Sequence, residues 1–229
     1  MKYLLILFTC ISFGQFNPIF RSDYRPRLIT HFDAGNISSY PGTGTTWLDI
    51  SGNGNHNDAT LFNGVTYDSA NGGSFLFDGS NDYAGLNLYP LSISHSFNIW
   101  VKIVSNTTGG AFICSGNPNQ ISFLQVGVSF NLAFNYAFNS PVSAAPIGTW
   151  MMLTGVHTAT QDKLYINGTL ITTATTVPPI YLGKNITIGK RLDNTYINSY
   201  ISSVKIYNYA ISQTEITANF NALRGRYGL

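Results

Sequence analysis

The stretch KLYINGTLIT, residues 163–172, is the clearest local statement in the chain. Asn167-Gly168 is the pair that a type I′ turn requires, because both of its central positions need positive φ. Two extended arms on either side of that pair make a β-hairpin. Working outward, TWMMLTGVHTA (149–159) precedes the hairpin, and NITIGKR (185–191) and YISSVKIYNYA (200–210) follow it, all with strand character. Further back, HSFNIWVKIV (95–104) points Phe97, Ile99 and Val101 one way and Asn98, Trp100 and Lys102 the other. QISFLQVGVSFNLAFNYAF (120–138) reads as two or three strands, and SNTTGGAF (105–112) as a hairpin-like connection. RLITHFDA (27–34), ATLFNGVTYDS (59–69) and SFLFDG (74–79) supply further extended pieces, the second broken at Asn63-Gly64.

Short strands with turns about every 8–12 residues indicate an all-β, two-sheet antiparallel sandwich. Strands do not alternate with long helices, which excludes a parallel α/β architecture. One helix is expected, at the end. Ser212-Gln213-Thr214-Glu215 fits a capping box, with Ser212 as cap and Glu215 reaching back. Ile211 and Ile216 occupy staple positions, and Ile216, Phe220 and Leu223 share one apolar face. Gly225 is the expected terminator.

Composition narrows the function. Of 229 residues, 44% are hydrophobic and 10% charged, with 15 Phe and 14 Tyr. That is the reverse of a disordered chain and is ample for one core. The formal net charge is +2, and the basic spots RSDYRPR (21–27), GKR (189–191) and RGR (224–226) are small. Nucleic-acid binding, which needs a patch that neutralises phosphates, is not indicated.

The N-terminus reads as an export signal over residues 1–14. Lys2 precedes an apolar run, and Ser12-Phe13-Gly14 places small residues before Gln15. The run is too short to span a bilayer, and no other stretch reads as transmembrane. The expected organisation is a signal peptide (1–14), a polar lead-in (15–27) and one domain (28–229), with a secreted or cell-surface location. Cleavage removes Cys10 and leaves Cys114 alone, so the mature chain has no internal disulfide.

Several stretches resemble the laminin-G-like domains of the concanavalin A-like lectin/glucanase superfamily, in the variety found in bacterial secreted and phage structural proteins. They are HFDAGNISSYPGTGTTWLDISGNGNHNDATL (31–61), GGSFLFDGSNDYAGL (72–86), GTWMMLTGVH (148–157), DKLYINGTLI (162–171), NITIGKR (185–191) and VKIYNYAISQTEITANFNALRGRYG (204–228). The resemblance implies a jelly-roll sandwich, often with calcium, in a family of glycan binders, adhesion modules, spacers and, further off, glycoside hydrolases. It assigns structural roles to Phe75, Phe77 and Trp150, and to Asn167 and Gly168 in the hairpin. Asp78, Asn81 and Asp82 fall in the family's FxFDGxxDY segment.

Catalysis is not expected. Glycoside hydrolysis ordinarily uses two carboxylates, and the single glutamate, Glu215, is already the helix cap. No GxSxG elbow, HExxH or phosphate loop occurs. Calcium wants several oxygen ligands, and Asp33, Asn36, Asp49, Asp78, Asn81 and Asp82 are the candidate set; the competing reading is that these residues fix turns through their own backbone. The long loop 34–58 raises a second possibility. Phe32 and Trp47 can anchor it to the sandwich, or Tyr40, Trp47, Asn53, Asn55 and His56 can present aromatic faces and amides to a sugar. The expected function is non-catalytic extracellular recognition of a glycan or surface partner. The alternative is a structural part of a cell surface or phage particle without a small ligand, and a glycoside hydrolase comes third.

Overall fold

The computed structural model describes residues 27–54, 56–88, 93–105, 109–116, 121–126, 132–133, 146–175, 185–191 and 193–229. The expected leader (1–14), the lead-in up to residue 26 and Asn55 lie outside them.

The strands are β1 (Leu28–Asp33), β2 (Thr46–Trp47), β3 (Ala59–Phe62), β4 (Thr66–Asp68), β5 (Ser74–Asp78), β6 (Tyr83–Asn87), β7 (His95–Ser105) and β8 (Gly110–Gly116). They continue with β9 (Ile121–Val126), β10 (Leu132–Ala133), β11 (Trp150–His157), β12 (Gln161–Ile166), β13 (Thr169–Thr175), β14 (Asn185–Ile188) and β15 (Asn198–Tyr207). One sheet runs β13-β12-β11-β7-β15-β5-β4, with β1 beside the second half of β15; the other runs β10-β9-β8-β14-β6-β3-β2. Neighbouring strands in both sheets pair antiparallel. The two-sheet sandwich read from the turns is the observed architecture.

The hairpin turns as its sequence demands: Asn167 and Gly168 adopt φ of 50° and 83°. The Asn167 carboxamide also accepts from the Met152 N–H at 2.8 Å, tying the turn to β11. β8 was not foreseen as a full strand. Its residues Ala111 to Ser115 are all buried, so the period-2 signal of a half-exposed strand is missing.

The interior has two layers. Between the sheets, Phe32, Phe75, Phe77 and Phe97 meet Phe112 and Ile113. On the far side of the first sheet, Trp100, Met152, Val156 and Tyr207 form a second cluster under the helix α1 (Gln213–Leu223). The first sheet is therefore buried on both faces, which is why Phe97 and Trp100 are both sequestered although they point in opposite directions. Phe75, Phe77 and Trp150 are 0%, 0% and 6% exposed. Trp150 belongs to the outer layer, under the chain's C-terminus, rather than to the inter-sheet core.

The helix starts as its capping box predicts. The Ser212 side chain accepts from Glu215 N–H, and the Glu215 carboxylate accepts from Ser212 N–H. Its end is a correction. Arg224–Tyr227 continue as a 3-10 turn, and Gly228, at φ 72°, terminates it in place of Gly225. The continuation is held by Arg226 and Tyr227, which anchor to the sheet.

Loop 34–58 has a mechanical role. Among the described residues β1 pairs with β15 on one side, and the loop satisfies its other edge. Ile50 N–H donates to His31 O (2.9 Å), His31 N–H to Asp49 Oδ1 (2.9 Å), Asp33 N–H to Ser39 Oγ (3.1 Å) and Asn57 Nδ2 to Ile29 O (2.7 Å). Unpaired strand edges invite association with other chains, and this loop seals one with amides and carboxylates.

Candidate functional site

An outward face emerges from alternation on three short strands of the second sheet. In β3, Ala59 and Leu61 point inward while Thr60 and Phe62 are exposed. In β6, Ala84 and Leu86 point inward and Tyr83, Gly85 and Asn87 outward. In β14, Ile186 and Ile188 are buried, and Asn185 and Thr187 face out. The register then builds rows: Thr60, Gly85 and Thr187 in one, Phe62 and Tyr83 in the next, Asn87 and Asn185 on the other side.

Phe62 and Tyr83 stack, with centroids 4.6 Å apart and planes 13° from parallel. They lean over Gly85, where an added Cβ would sit 3.2 Å from Phe62 Cε2. Phe62 is 38% exposed and Tyr83 half-buried, so the stack presents aromatic surface to solvent chiefly through Phe62. Its border is a second hairpin, in which Lys190 pairs with Tyr196. Lys190 Nζ lies 4.6 Å from the Tyr83 centroid and 5.5 Å from that of Tyr196. The hairpin is fixed by the Arg191–Asp193 ion pair at 3.4 Å and by Thr187 Oγ1 donating to Lys190 O at 2.7 Å. Gly189 enters it at φ 87°, and a Cβ there would fall 2.6 Å from Phe77 Cδ1. Aromatic faces, amides and hydroxyls thus share one surface, none of it buried beneath the helix.

The residues expected to bind sugar lie elsewhere. Trp47 is fully buried, stacked on Phe32 at 4.9 Å and edge-on to Phe75 at 4.9 Å. Tyr40 is buried against Phe75, with its hydroxyl donating to Gly44 O at 3.0 Å. Both are corrected from ligand residues to core residues, because the loop folds its aromatics inward to seal β1. Asn53 is half-buried, its Nδ2 donating to Ile29 O and Leu28 O. His56 is exposed.

The proposed calcium set is split in two: Asp78, Asn81 and Asp82 share one turn, while Asp33, Asn36 and Asp49 belong to β1 and the loop that follows it. Asp33 Oδ1 is 2.7 Å from Arg226 Nη1 and also accepts from Gly35 N–H. Asp49 accepts from the N–H groups of His31, Ser51 and Asn57. Asn36 Oδ1 accepts from Ser38 N–H. Asp78 accepts from Ser80 N–H (2.8 Å), which does most to lower its carboxyl below the usual range, against desolvation and with help from Asn81 N–H. Asp82 is buried and accepts from Asp78 N–H. Burial first, then the Asp78 charge, push its carboxyl up. Asn81 is exposed, and its carbonyl accepts from Asn63 Nδ2. Among the described residues no group of three or more His, Cys, Asp or Glu is arranged to hold a metal. The carboxylates of Asp49, Asp78 and Asp82 and the Asn36 carboxamide thus fix turns and backbone, and Asp33 forms an ion pair.

Carboxylate chemistry is equally confined. Glu215 accepts from Tyr209 O–H, which depresses its pKa most, and from Ser212 N–H and Oγ. A further acid was missed in the sequence: Asp162 Oδ1 is 2.6 Å from His157 Nδ1, and the His157 ring stacks on His95 at 4.6 Å. Exposures of 1% for Asp162 and 4% for His157 remove the pair from solvent. A substrate would reach it only if the ends of β7, β11 and β12 opened.

A family model described as the concanavalin A-like lectin/glucanases superfamily matches residues 78–217. A comparison with curated proteins gives no match. Solved structures share the fold. Trypanosoma rangeli sialidase in complex with sialic acid is 15% identical with a TM-score of 0.65, covering 87% of this chain and 33% of that one. Domain 4 of AbnA, a GH43 extracellular arabinanase from Geobacillus stearothermophilus, in complex with arabinotriose, is 18% identical with a TM-score of 0.64, covering 84% and 98%. The receptor binding domain of botulinum neurotoxin C/D mosaic serotype is 17% identical with a TM-score of 0.62, covering 85% and 51%. The chain therefore spans about a third of the sialidase and nearly the whole of the arabinanase domain.

Proposed function

The chain belongs to the laminin-G-like domains of the concanavalin A-like lectin/glucanases superfamily, and from that premise we propose that it is a non-catalytic module that recognises a glycan. The observation that carries this reading is the Phe62–Tyr83 platform beside Thr60, Thr187, Asn87 and Asn185. A sugar ring carries C–H groups on its faces and hydroxyls on its rim. The electron-rich face of an aromatic ring attracts the former, and amides and hydroxyls bond the latter. A rigid sheet holds both sets in place without a loop to order. Domain 4 of the arabinanase, which matches over nearly its full length, is complexed with arabinotriose. That supports a saccharide ligand over other small molecules.

Titration of immobilised polysaccharides and a glycan array, with wild type, Phe62→Ala and Tyr83→Ala, tests the reading. Loss of one aromatic contact, about 1 kcal/mol, weakens affinity by roughly fivefold. Array hits that survive both substitutions unchanged would refute the site. Export through residues 1–14 is part of the same proposal, and its check is a secreted product whose N-terminus is Gln15. An assembly role without ligand is the competing reading, favoured by the exposed Leu170 and Ile171 on β13.

A further inference from the structure

The row that holds Phe62 and Tyr83 continues across the sheet. Phe62 of β3 is registered with Tyr83 of β6. Lys190, just past β14 on the other side of β6, is registered with Tyr196. The side chains along that line follow as ring, ring, ammonium, ring, with Lys190 Nζ over both tyrosines.

Two rings position an ammonium without discharging it. Cation–π attraction restrains the long side chain, but ring faces offer its N–H donors no lone pair. Lys190 is half-exposed, and among the described residues no carboxylate lies within ion-pair distance of it. The hairpin's own carboxylate is already committed. Asp193 faces Arg191 Nη2 at 3.4 Å and accepts from the N–H and hydroxyl of Thr195 at 3.2 and 2.7 Å. The excess positive charge beside the stack therefore rests on Lys190.

We propose that Lys190 is the specificity residue of this surface, and that the ligand is an acidic saccharide bearing a carboxylate or a sulfate. This rests on the reading of the Phe62–Tyr83 stack as a saccharide site, and it gives that site a charge sign. Neighbouring strands lie about 4.8 Å apart, so a sugar seated at the stack on β3 and β6 carries its substituents over the next column, where Lys190 stands. An anion there accepts a charge-assisted hydrogen bond. An ammonium is a point charge with no planar fork to match, so either anion suits it, and a protonated amino sugar is repelled. The flanking rings already restrain the lysine, so less side-chain freedom is lost on binding.

Calorimetric titration of the full chain with three oligosaccharides of one backbone tests this. They are a glucuronic-acid oligomer, its carboxyl-reduced neutral counterpart, and a sulfated form of that counterpart. The quantity read is the ratio of acidic to neutral affinity, in which a uniform change of binding cancels. Wild type should favour at least one acidic ligand by roughly fivefold at low salt, and the ratio should shrink as salt screens it. Which ligand is favoured tells carboxylate from sulfate. Lys190→Gln should bring the ratio to one, and Lys190→Arg should restore it. Lys102→Gln is the control for lost charge. Lys102 lies over Trp150 and Tyr200 in the same manner, at 5.5 and 4.3 Å, but on the outer face of the other sheet, so its loss should leave the ratio as in wild type. Equal affinities for acidic and neutral ligands, both weakened by Phe62→Ala, keep the saccharide site and overturn the role of Lys190. A preference that survives Lys190→Gln, or that Lys102→Gln abolishes equally, overturns it too. Binding of none of the three also overturns it, while a neutral hit on the glycan array lost in Phe62→Ala would still leave the site.

Discussion

His31 shows how one half-buried side chain sets a pH dependence. It lies on β1 opposite Lys205 of β15, and Lys205 reaches on to Asn219 Oδ1 of α1 at 2.8 Å. Burial first, then the Lys205 charge, lower its pKa from 6.5 to about 4, against the pull of Asp33 and Asp49. Between those two values the unfolded chain takes up a proton that the folded chain refuses, so stability is full above pH 6.5 and falls as pH drops toward 4. After allowance for partial exposure, the loss is on the order of 2 kcal/mol, from about 1.4 kcal/mol per unit. Glu215 and Asp78, whose pKa values are depressed, add their own losses only at lower pH, below about 4.5 and 3.8. Urea unfolding followed from pH 7 to 4 should therefore show a shallower decline for His31→Asn than for wild type. Equal slopes would remove His31 from the account.

At the scale of elements, the C-terminal 3-10 turn works as a latch. Arg226 donates to Asn71 O (2.8 Å), Gly72 O (2.7 Å), Gly73 O (2.8 Å) and Asp33 Oδ1 (2.7 Å). Tyr227 stacks on Trp100 at 4.4 Å and packs against Trp150 at 4.6 Å, and its hydroxyl donates to Ser202 Oγ. Arg226→Ala leaves Asp33 without its cation and takes the guanidinium donor from the Asn71, Gly72 and Gly73 carbonyls, of which Gly73 O keeps the Ser202 hydroxyl. A loss of about 3 kcal/mol is expected in thermal or urea unfolding, with altered tryptophan fluorescence as Tyr227 loosens. Arg226→Lys should not rescue it, because an ammonium lacks the planar fork that reaches two carbonyls and a carboxylate together. A melting temperature within a degree or so of wild type for Arg226→Ala would show the latch to be ornamental. The start of the helix was legible because its box lies within four consecutive residues. Its end was not, because Arg226 and Tyr227 are held by residues far away in the chain. β8 hid for a related reason, since burial on both faces erases alternation. The Asp162–His157 pair needed the register of β11 on β12, which no local pattern displays.

Across the whole molecule, the same contrast separates scaffold from site. Strand periodicity and the Asn167-Gly168 turn were enough for a two-sheet sandwich. Phe62 and Tyr83 become a platform only when β3 is laid on β6, so the loop that looked most like a binding site drew attention first. Asp49, Ser39, Asn53 and Asn57 of that loop are bonded to backbone, and the carboxylates of the expected calcium set are held by N–H donors or, for Asp33, by a guanidinium as well. Stability then rests on two apolar layers and the Arg226 latch. Each carboxylate in question already has N–H donors or a guanidinium, and a divalent ion would have to displace them with no gathered cage in return. Thermal melts of the protein in chelator and in excess calcium should accordingly coincide, and glycan binding should be indifferent to either. A calcium-dependent rise in melting temperature would mean that ligands are recruited by rearranging loop 34–58 or the Asp78–Asp82 turn. Asp49→Asn and Asp78→Asn would then tell the two apart: the rise would vanish in whichever variant had lost its ligand.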